Sequence, residues 1–254
     1  MAPPSTLMRW PAPRLAWLAV LLVPAALAGR SWTAAAAAEK PEGQPPAEEL
    51  RGRVQLLAKG GKAPARGADL RLAVVYFEPG ATGSSVRRPA TSFQMVTRKK
   101  EFVPHVLTVP RGSRVVFPNQ DPILHNVFSV SPGNAFDLGF YRTQAGKEKR
   151  FEQAGVVRVF CNVHQDMVGY IVVLDTPFYT SPAADGSFAL GGLPRGPGRL
   201  TVWHEQADPW TANLALPPAA PVLAQLVVVH PQLAPHLNKT GEAYGSGRDR
   251  YERR

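Results

Sequence analysis

Val156-Val157-Arg158-Val159-Phe160-Cys161-Asn162-Val163-His164-Gln165-Asp166-Met167, with Tyr170-Ile171-Val172-Val173-Leu174 just beyond it, decides how this chain is read. The β-branched run Val156–Phe160 follows an Ala154-Gly155 turn signal and leads directly into Cys161. Tyr170–Leu174 reads as a second strand, apolar throughout and therefore buried on both faces. The segment between them must be a short loop. It holds the only cysteine of the chain, a histidine and a methionine within seven residues.

Thiolate, imidazole and thioether are soft or borderline metal donors. A second histidine, His125, stands upstream in Asp121-Pro122-Ile123-Leu124-His125-Asn126-Val127-Phe128. Two histidines, one cysteine and a weak axial methionine form the donor set of blue-copper electron-transfer sites. The expected ligands are His125, Cys161, His164 and Met167, with one copper ion. Cys161 would bind as thiolate and both histidines as neutral imidazoles. Two alternatives remain open: zinc, which accepts Cys and His but has no use for Met, and a thiolate-bound copper without rapid electron transfer. A core thiol surrounded by packing residues is the plainest reading, and it leaves this clustering unexplained.

The N-terminus supports export. Arg9 and Arg14 precede the uncharged apolar run Leu15–Ala28, and Ala26-Leu27-Ala28 offers a small-x-small cleavage site. The run is short for a membrane span, so residues 1–38 are expected to be a removed signal peptide. The mature protein would then be periplasmic or otherwise exported and would not span a membrane. In an oxidising compartment an odd cysteine needs a reason, and a metal supplies one. Loss of Arg9, Arg14 and Arg30, with no acid, would lower the net charge of +10 by three, to +7. A basic surface suits acidic docking partners. Nucleic acid is disfavoured by the compartment and by the lack of a reading motif.

Twenty-six prolines, 22 glycines and no long 3.6-residue periodicity indicate an all-β chain with many turns. Residues 39–49 read as a Pro-rich linker. Leu50–Ala58 and Ala68–Glu78 read as strands, and Pro79–Pro89 as a loop. Within 91–175 the expected strands are Ser92–Val96, Val103–Val109, Ser113–Pro118, Asn126–Val130, Val156–Phe160 and Tyr170–Leu174. A third block, 177–230, contains Ser187–Leu190 after the turn Asp185-Gly186, then Arg199–Trp203 and Val222–Val229. Asp185-Gly186-Ser187-Phe188 reads as a turn and not as a calcium loop. Residues 236–254 read as a disordered basic tail.

Asn119-Gln120-Asp121, His125-Asn126-Val127, the Val159–Met167 stretch and Tyr170–Val173 together resemble the cupredoxins, the fold of plastocyanin and amicyanin, over residues 91–175. The spacing Cys-x₂-His-x₂-Met resembles the short amicyanin loop. The chain also resembles exported plastocyanin-like proteins of the methylamine-utilisation type. The resemblance implies a Greek-key β-sandwich. It implies that His125 binds through a buried Nδ1 and that His164 exposes its ring edge as the electron port. It further implies that Asn126, outside the ligand set, ties the two ligand loops together. Ala184–Leu190 through Trp203 is similar to the carboxypeptidase regulatory-like, or transthyretin-like, sandwich. Arg51–Val54, Gly60–Pro64 and Ala73–Tyr76 look like its missing opening. Residues 50–80 and 177–230 are therefore expected to form one sandwich, with the cupredoxin inserted between them.

The function expected is single-electron carriage between redox proteins, such as a cytochrome c or a periplasmic dehydrogenase, and not an enzyme. Copper storage, delivery or sensing is the first alternative, and a structural or adhesive sandwich the second. A copper enzyme would need another histidine cluster. His105, inside an expected strand, and His204, beside Trp203 and Glu205, read as structural.

Overall fold

Strand alternation assigns the cores. In β12 (Val168–Leu174) all seven residues are buried, because Ile171 and Val173 enter one apolar cluster while Val168, Tyr170, Val172 and Leu174 enter another. Its antiparallel neighbour β11 (Gly155–Phe160) points Val157 and Val159 to the first cluster and Phe160 to the second. Cys161, next in the alternation, falls on the first side and is fully buried. Each such apolar side chain removed from water contributes about 1.5–3 kcal/mol.

The computed structural model describes residues 48–80, 91–230 and 236–244. The expected signal peptide, most of the expected linker and residues 245–254 lie outside the described residues. The described part is all-β. Ahead of the central block come β1 (Glu48–Leu57), a 3₁₀ turn at Leu70–Leu72 and β2 (Val74–Pro79). The central block adds β3 (Ser92–Gln94), β4 (Val96–Arg98), β5 (Glu101–Val103), β6 (Val106–Pro110), β7 (Arg114–Asn119), β8 (His125–Ser129), β9 (Phe136–Tyr141) and β10 (Gln144–Arg150), then β11 and β12. After it follow β13 (Tyr179–Thr180), β14 (Ser187–Leu193), β15 (Gly196–His204), β16 (Ala207–Leu216) and β17 (Val222–Val227).

Two sheets form the central sandwich. One runs β10-β7-β4-β5, with β3 beside β7; the other runs β6-β12-β11-β8-β9. Met95, Phe117, Phe151, Val159 and Ile171 fill the space between them. The remaining strands make two further sheets, β14-β1-β17 and β13-β2-β15-β16. Thus β1 pairs with β14 and β17, and β2 pairs with β13 and β15, across the whole central block in sequence. Leu50, Phe77, Leu200 and Leu226 share the core of this second sandwich. The third cluster joins the outer face of β12 to Val74 and Trp203.

Several local expectations change. Leu70–Leu72, expected inside a strand, turns because Asp69 caps it by accepting the Arg71 amide at 3.0 Å. The expected strand Val103–Val109 breaks into β5 and β6 around a cis Val103–Pro104 bond. Glu48 and Glu49, assigned to the linker, already belong to β1. Four strands lie wholly outside those expected: β9, β10, β13 and β16. All four are edge strands.

Candidate metal centre

The centre sits at one end of the central sandwich, where β8 begins and β11 ends. His125 is the first residue of β8 and Cys161 follows the last of β11. His125 Nδ1 lies 3.7 Å from Cys161 Sγ, and so does His164 Nδ1. The two imidazole centroids are 4.8 Å apart. One donor atom from each of the three residues falls within 4.8 Å of the others, the only such triple among the described residues. Met167 is 1% exposed and belongs to the same cluster as Cys161. The loop closes on itself: the Met167 amide donates to the His164 carbonyl at 3.1 Å, and the Cys161 amide donates to the Met167 carbonyl at 3.2 Å. The short Cys-x₂-His-x₂-Met spacing makes these closures possible and turns His164 and Met167 back toward Cys161.

His125 is held from behind. Its ring is fully buried, and its Nε2 is 2.8 Å from Asp121 Oδ2. With Nε2–H donated to the carboxylate, the lone pair of Nδ1 faces Cys161, the tautomer a metal ligand needs. Asp121 is fixed in turn by the backbone amides of Lys99 at 2.6 Å and Lys100 at 2.9 Å. Those two lysines form a two-residue hairpin turn between the paired residues Arg98 and Glu101, with φ of 55° and 60°. Left-handed backbone suits a hairpin turn but costs a residue with a Cβ about 1 kcal/mol. Here it aims two adjacent amides at one carboxylate.

Asn119 completes the support. Its side chain accepts from Thr97 Oγ1 at 3.0 Å and from the Asp121 amide at 2.9 Å. It donates to the carbonyls of Ile123 and Tyr141. Every hydrogen-bonding atom of that buried amide is used, as a buried polar group requires.

Electrostatics follow from burial. Burial pushes the Cys161 thiol up, opposed by backbone amides of Asn126, Val163 and His164 directed at Sγ. Burial lowers the basicity of His125, against the pull of Asp121, so the imidazole stays neutral. Asp121 resists its own burial because the Lys100 and Lys99 amides and His125 hold it below the usual carboxylate range. Two imidazole nitrogens beside a buried thiol suit a thiophilic cation, whose charge would make the thiolate stable there. Two nitrogens, one sulfur and a buried thioether fit copper; zinc would leave Met167 without a purpose.

Two expected roles change. Asn126 does tie β8 to the cysteine loop, but through its backbone amide; its side chain donates instead to Asp137 Oδ1 on β9 at 2.6 Å. His164 as a whole is half-buried, and its expected port is closed at one atom: Nε2 is shut off from solvent. Over this loop lies part of the segment read as a disordered tail. The Tyr244 hydroxyl donates to the Cys161 carbonyl at 2.8 Å, and the Lys239 amide donates to Asn162 Oδ1 at 2.9 Å. Residues 236–244 therefore have a defined course.

The Lys99-Lys100 turn, Lys239 and Tyr244 carry no sequence signal that would have marked them, and Asp121, though part of the Asn119-Gln120-Asp121 stretch, carries none that marks it as the partner of His125. An acid four residues before a ligand means little off a helix, and Lys-Lys does not announce a tight turn. Two other histidines, His105 and His204, act elsewhere. His105 Nε2 is 2.7 Å from Glu205 Oε2, bridging the two sandwiches, and the hydrogen bond to Glu205 raises its pKa. His204 receives the Gln206 amide on Nδ1 and faces the Asp69 carbonyl with Nε2, so both ring nitrogens are engaged.

No protein-family model matches this chain, and no curated protein sequence does. Solved structures do match. A purple cupredoxin from Nitrosopumilus maritimus is 24% identical, covering 32% of this chain and 99% of that one, with a TM-score of 0.30. Amicyanin from Paracoccus versutus is 24% identical, covering 34% of this chain and 85% of that one, with a TM-score of 0.31. These matches take in about a third of this chain. The choice of donors rests on the distances given above.

Proposed function

We propose that the protein is an exported type 1 copper protein that carries single electrons between redox proteins. The observation that carries this reading is the convergence of His125 Nδ1, Cys161 Sγ and His164 Nδ1, with His125 and Cys161 fully buried and Met167 in the same buried cluster as Cys161. Bound copper would supply a one-electron couple, Cu(II)/Cu(I), at a site compatible with both states. The protein's own contribution is rigidity. Asp121 and the Lys99-Lys100 turn fix one imidazole, and the hydrogen-bonded loop fixes the cysteine. Donors that need not rearrange when the charge changes favour fast exchange.

The reading places the protein in the periplasm or another exported location, after loss of residues 1–38. No helix among the described residues is long and apolar enough to cross a membrane. A net charge of +7 after that loss, +10 less Arg9, Arg14 and Arg30, favours acidic docking surfaces on partners, such as a cytochrome c or a periplasmic dehydrogenase, through a small and transient interface. No bond-making catalysis is assigned to the site. The second sandwich would serve as scaffold, since a fold alone confers no activity.

One observation favours the alternative of copper storage, delivery or sensing: the buried Nε2 of His164. Optical and electrochemical titration separates the two. Reversible one-electron reduction of a strongly coloured copper form supports the carrier. A colourless protein that takes only Cu(I) supports delivery.

A further inference from the structure

The segment 236–244 is anchored at four places, all around the two strand ends that hold the ligands. Tyr244 Oη donates to the carbonyl of Cys161, a ligand itself. The Lys239 amide donates to Asn162, the next residue. Lys239 Nζ reaches Asp137 Oδ2 at 2.7 Å; the other oxygen of that carboxylate accepts from Asn126, the neighbour of His125. The His236 ring stacks on Phe160, the residue before Cys161, with centroids 4.3 Å apart and planes 22° from parallel. Tyr244 stands edge-on to His236 at 5.3 Å, so the segment also packs on itself. A turn at Asn238, whose Oδ1 accepts from the amides of Thr240 and Glu242, shapes it.

Three of these anchors are acceptors on the loop side: the Cys161 carbonyl, Asn162 Oδ1 and Asp137 Oδ2. The fourth is an aromatic face. Such a surface matches a chain segment that brings a cation, N–H or O–H donors and a ring, and residues 236–244 bring all of these.

We propose that this face of the copper loop is a docking surface occupied by the chain's own C-terminal segment, which must lift before a partner can dock against Cys161, Asn162 and Asp137. The partner it fits is a protein presenting a basic, aromatic-bearing segment able to take over the same acceptors. This differs from the acidic partner expected from net charge, because the local face is acceptor-rich although the chain as a whole is basic. The inference rests on the electron-carrier reading for its purpose, but not for its geometry.

Alkylation of Cys161 by iodoacetamide in the metal-free, full-length protein tests the cover directly. Access to a buried thiol through local opening rises with each anchor lost. Tyr244→Phe should speed alkylation about fivefold, the factor that one hydrogen bond of ordinary net strength represents. The double variant Lys239→Ala/Tyr244→Ala should speed it about thirtyfold, the compounded effect of two. A synthetic peptide of residues 236–244, added to the double variant, should slow the reaction again, and a peptide with both side chains replaced by alanine should not. Equal rates in all three proteins would overturn the cover, and a peptide without effect would overturn the docking surface. In the copper-loaded proteins, exchange with a small one-electron iron or cobalt complex should follow the same order. If alkylation rates separate but no protein shows reversible one-electron chemistry, the carrier reading fails and the cover stands.

Discussion

The two histidines of the site are held by opposite means. His125 is locked from behind by a chain of fixed groups: an imidazole on Asp121, and Asp121 on two amides of a strained hairpin turn. His164 sits on a seven-residue loop between β11 and β12, closed by two backbone hydrogen bonds and tied from outside by Tyr244 at the Cys161 carbonyl. One position is determined by the sandwich before any metal arrives, and the other by a loop and a strap. Rigidity and access, which conflict in one residue, are thereby divided between two.

The largest break in this contrast should come from Asp121→Ala. It removes a charged hydrogen-bond acceptor and leaves the Lys99 and Lys100 amides without their partner, at a cost of about 3 kcal/mol. Copper affinity should also fall about 10- to 100-fold, the usual effect of losing the group that orients a ligating histidine. Denaturant unfolding of the metal-free protein and competition with a Cu(I) chelator would measure the two effects. Equal stability and affinity would mean His125 is fixed by packing alone.

On the loop side, Met167→Leu conserves volume, so stability should change by less than about 1.5 kcal/mol. Copper should stay bound while the reduction potential rises, because a thioether donor stabilises the oxidised ion more than a methyl group can. Voltammetry giving an unchanged potential would remove Met167 from the ligand set.

Away from the site, His105 serves as a control. Its pKa is raised above the ordinary value of 6.5 by the hydrogen bond to Glu205. A raised folded value contributes stability that is complete below 6.5 and is lost as pH rises through the folded value. Glu205→Gln should therefore weaken the protein by about 1 kcal/mol at acidic pH and by less at alkaline pH. Urea midpoints at the two pH values that shift equally would contradict this assignment. The smallest effect is expected at Lys100→Gly. It relieves a left-handed backbone residue while keeping the amide that holds Asp121, so thermal stability should rise by about 0.5–1 kcal/mol with copper affinity unchanged. A loss of stability would mean the lysine side chain contributes what the backbone does not.

How legible each region was follows from the same physics. Buried strands declare themselves: Tyr170–Leu174 is apolar because both its faces meet cores, and Val157, Val159 and Phe160 are apolar for the same reason. The edge strands β9, β10 and β16 do not. β10 reads Gln-Ala-Gly-Lys-Glu-Lys-Arg, and charges on an edge discourage pairing with other chains. The donors of the metal centre were legible because thiol, imidazole and thioether are scarce and their spacing is local. The groups that orient and cover them were not. Asp121 meets Lys99 and Lys100 through backbone amides, which every residue has, and Tyr244 reaches the carbonyl of Cys161 from 83 residues away. The polar composition of residues 236–254 reads as disorder until the acceptors waiting for it are known.

The proposed copper centre depends on Cys161 as a thiolate ligand. The most direct measurement is the visible spectrum of the Cu(II)-loaded protein beside that of Cys161→Ser. An intense charge-transfer band at a wavelength on the order of 600 nm, present in the first and absent in the second, is predicted. A wild-type protein without the band, or a serine variant that keeps it, would contradict the central claim.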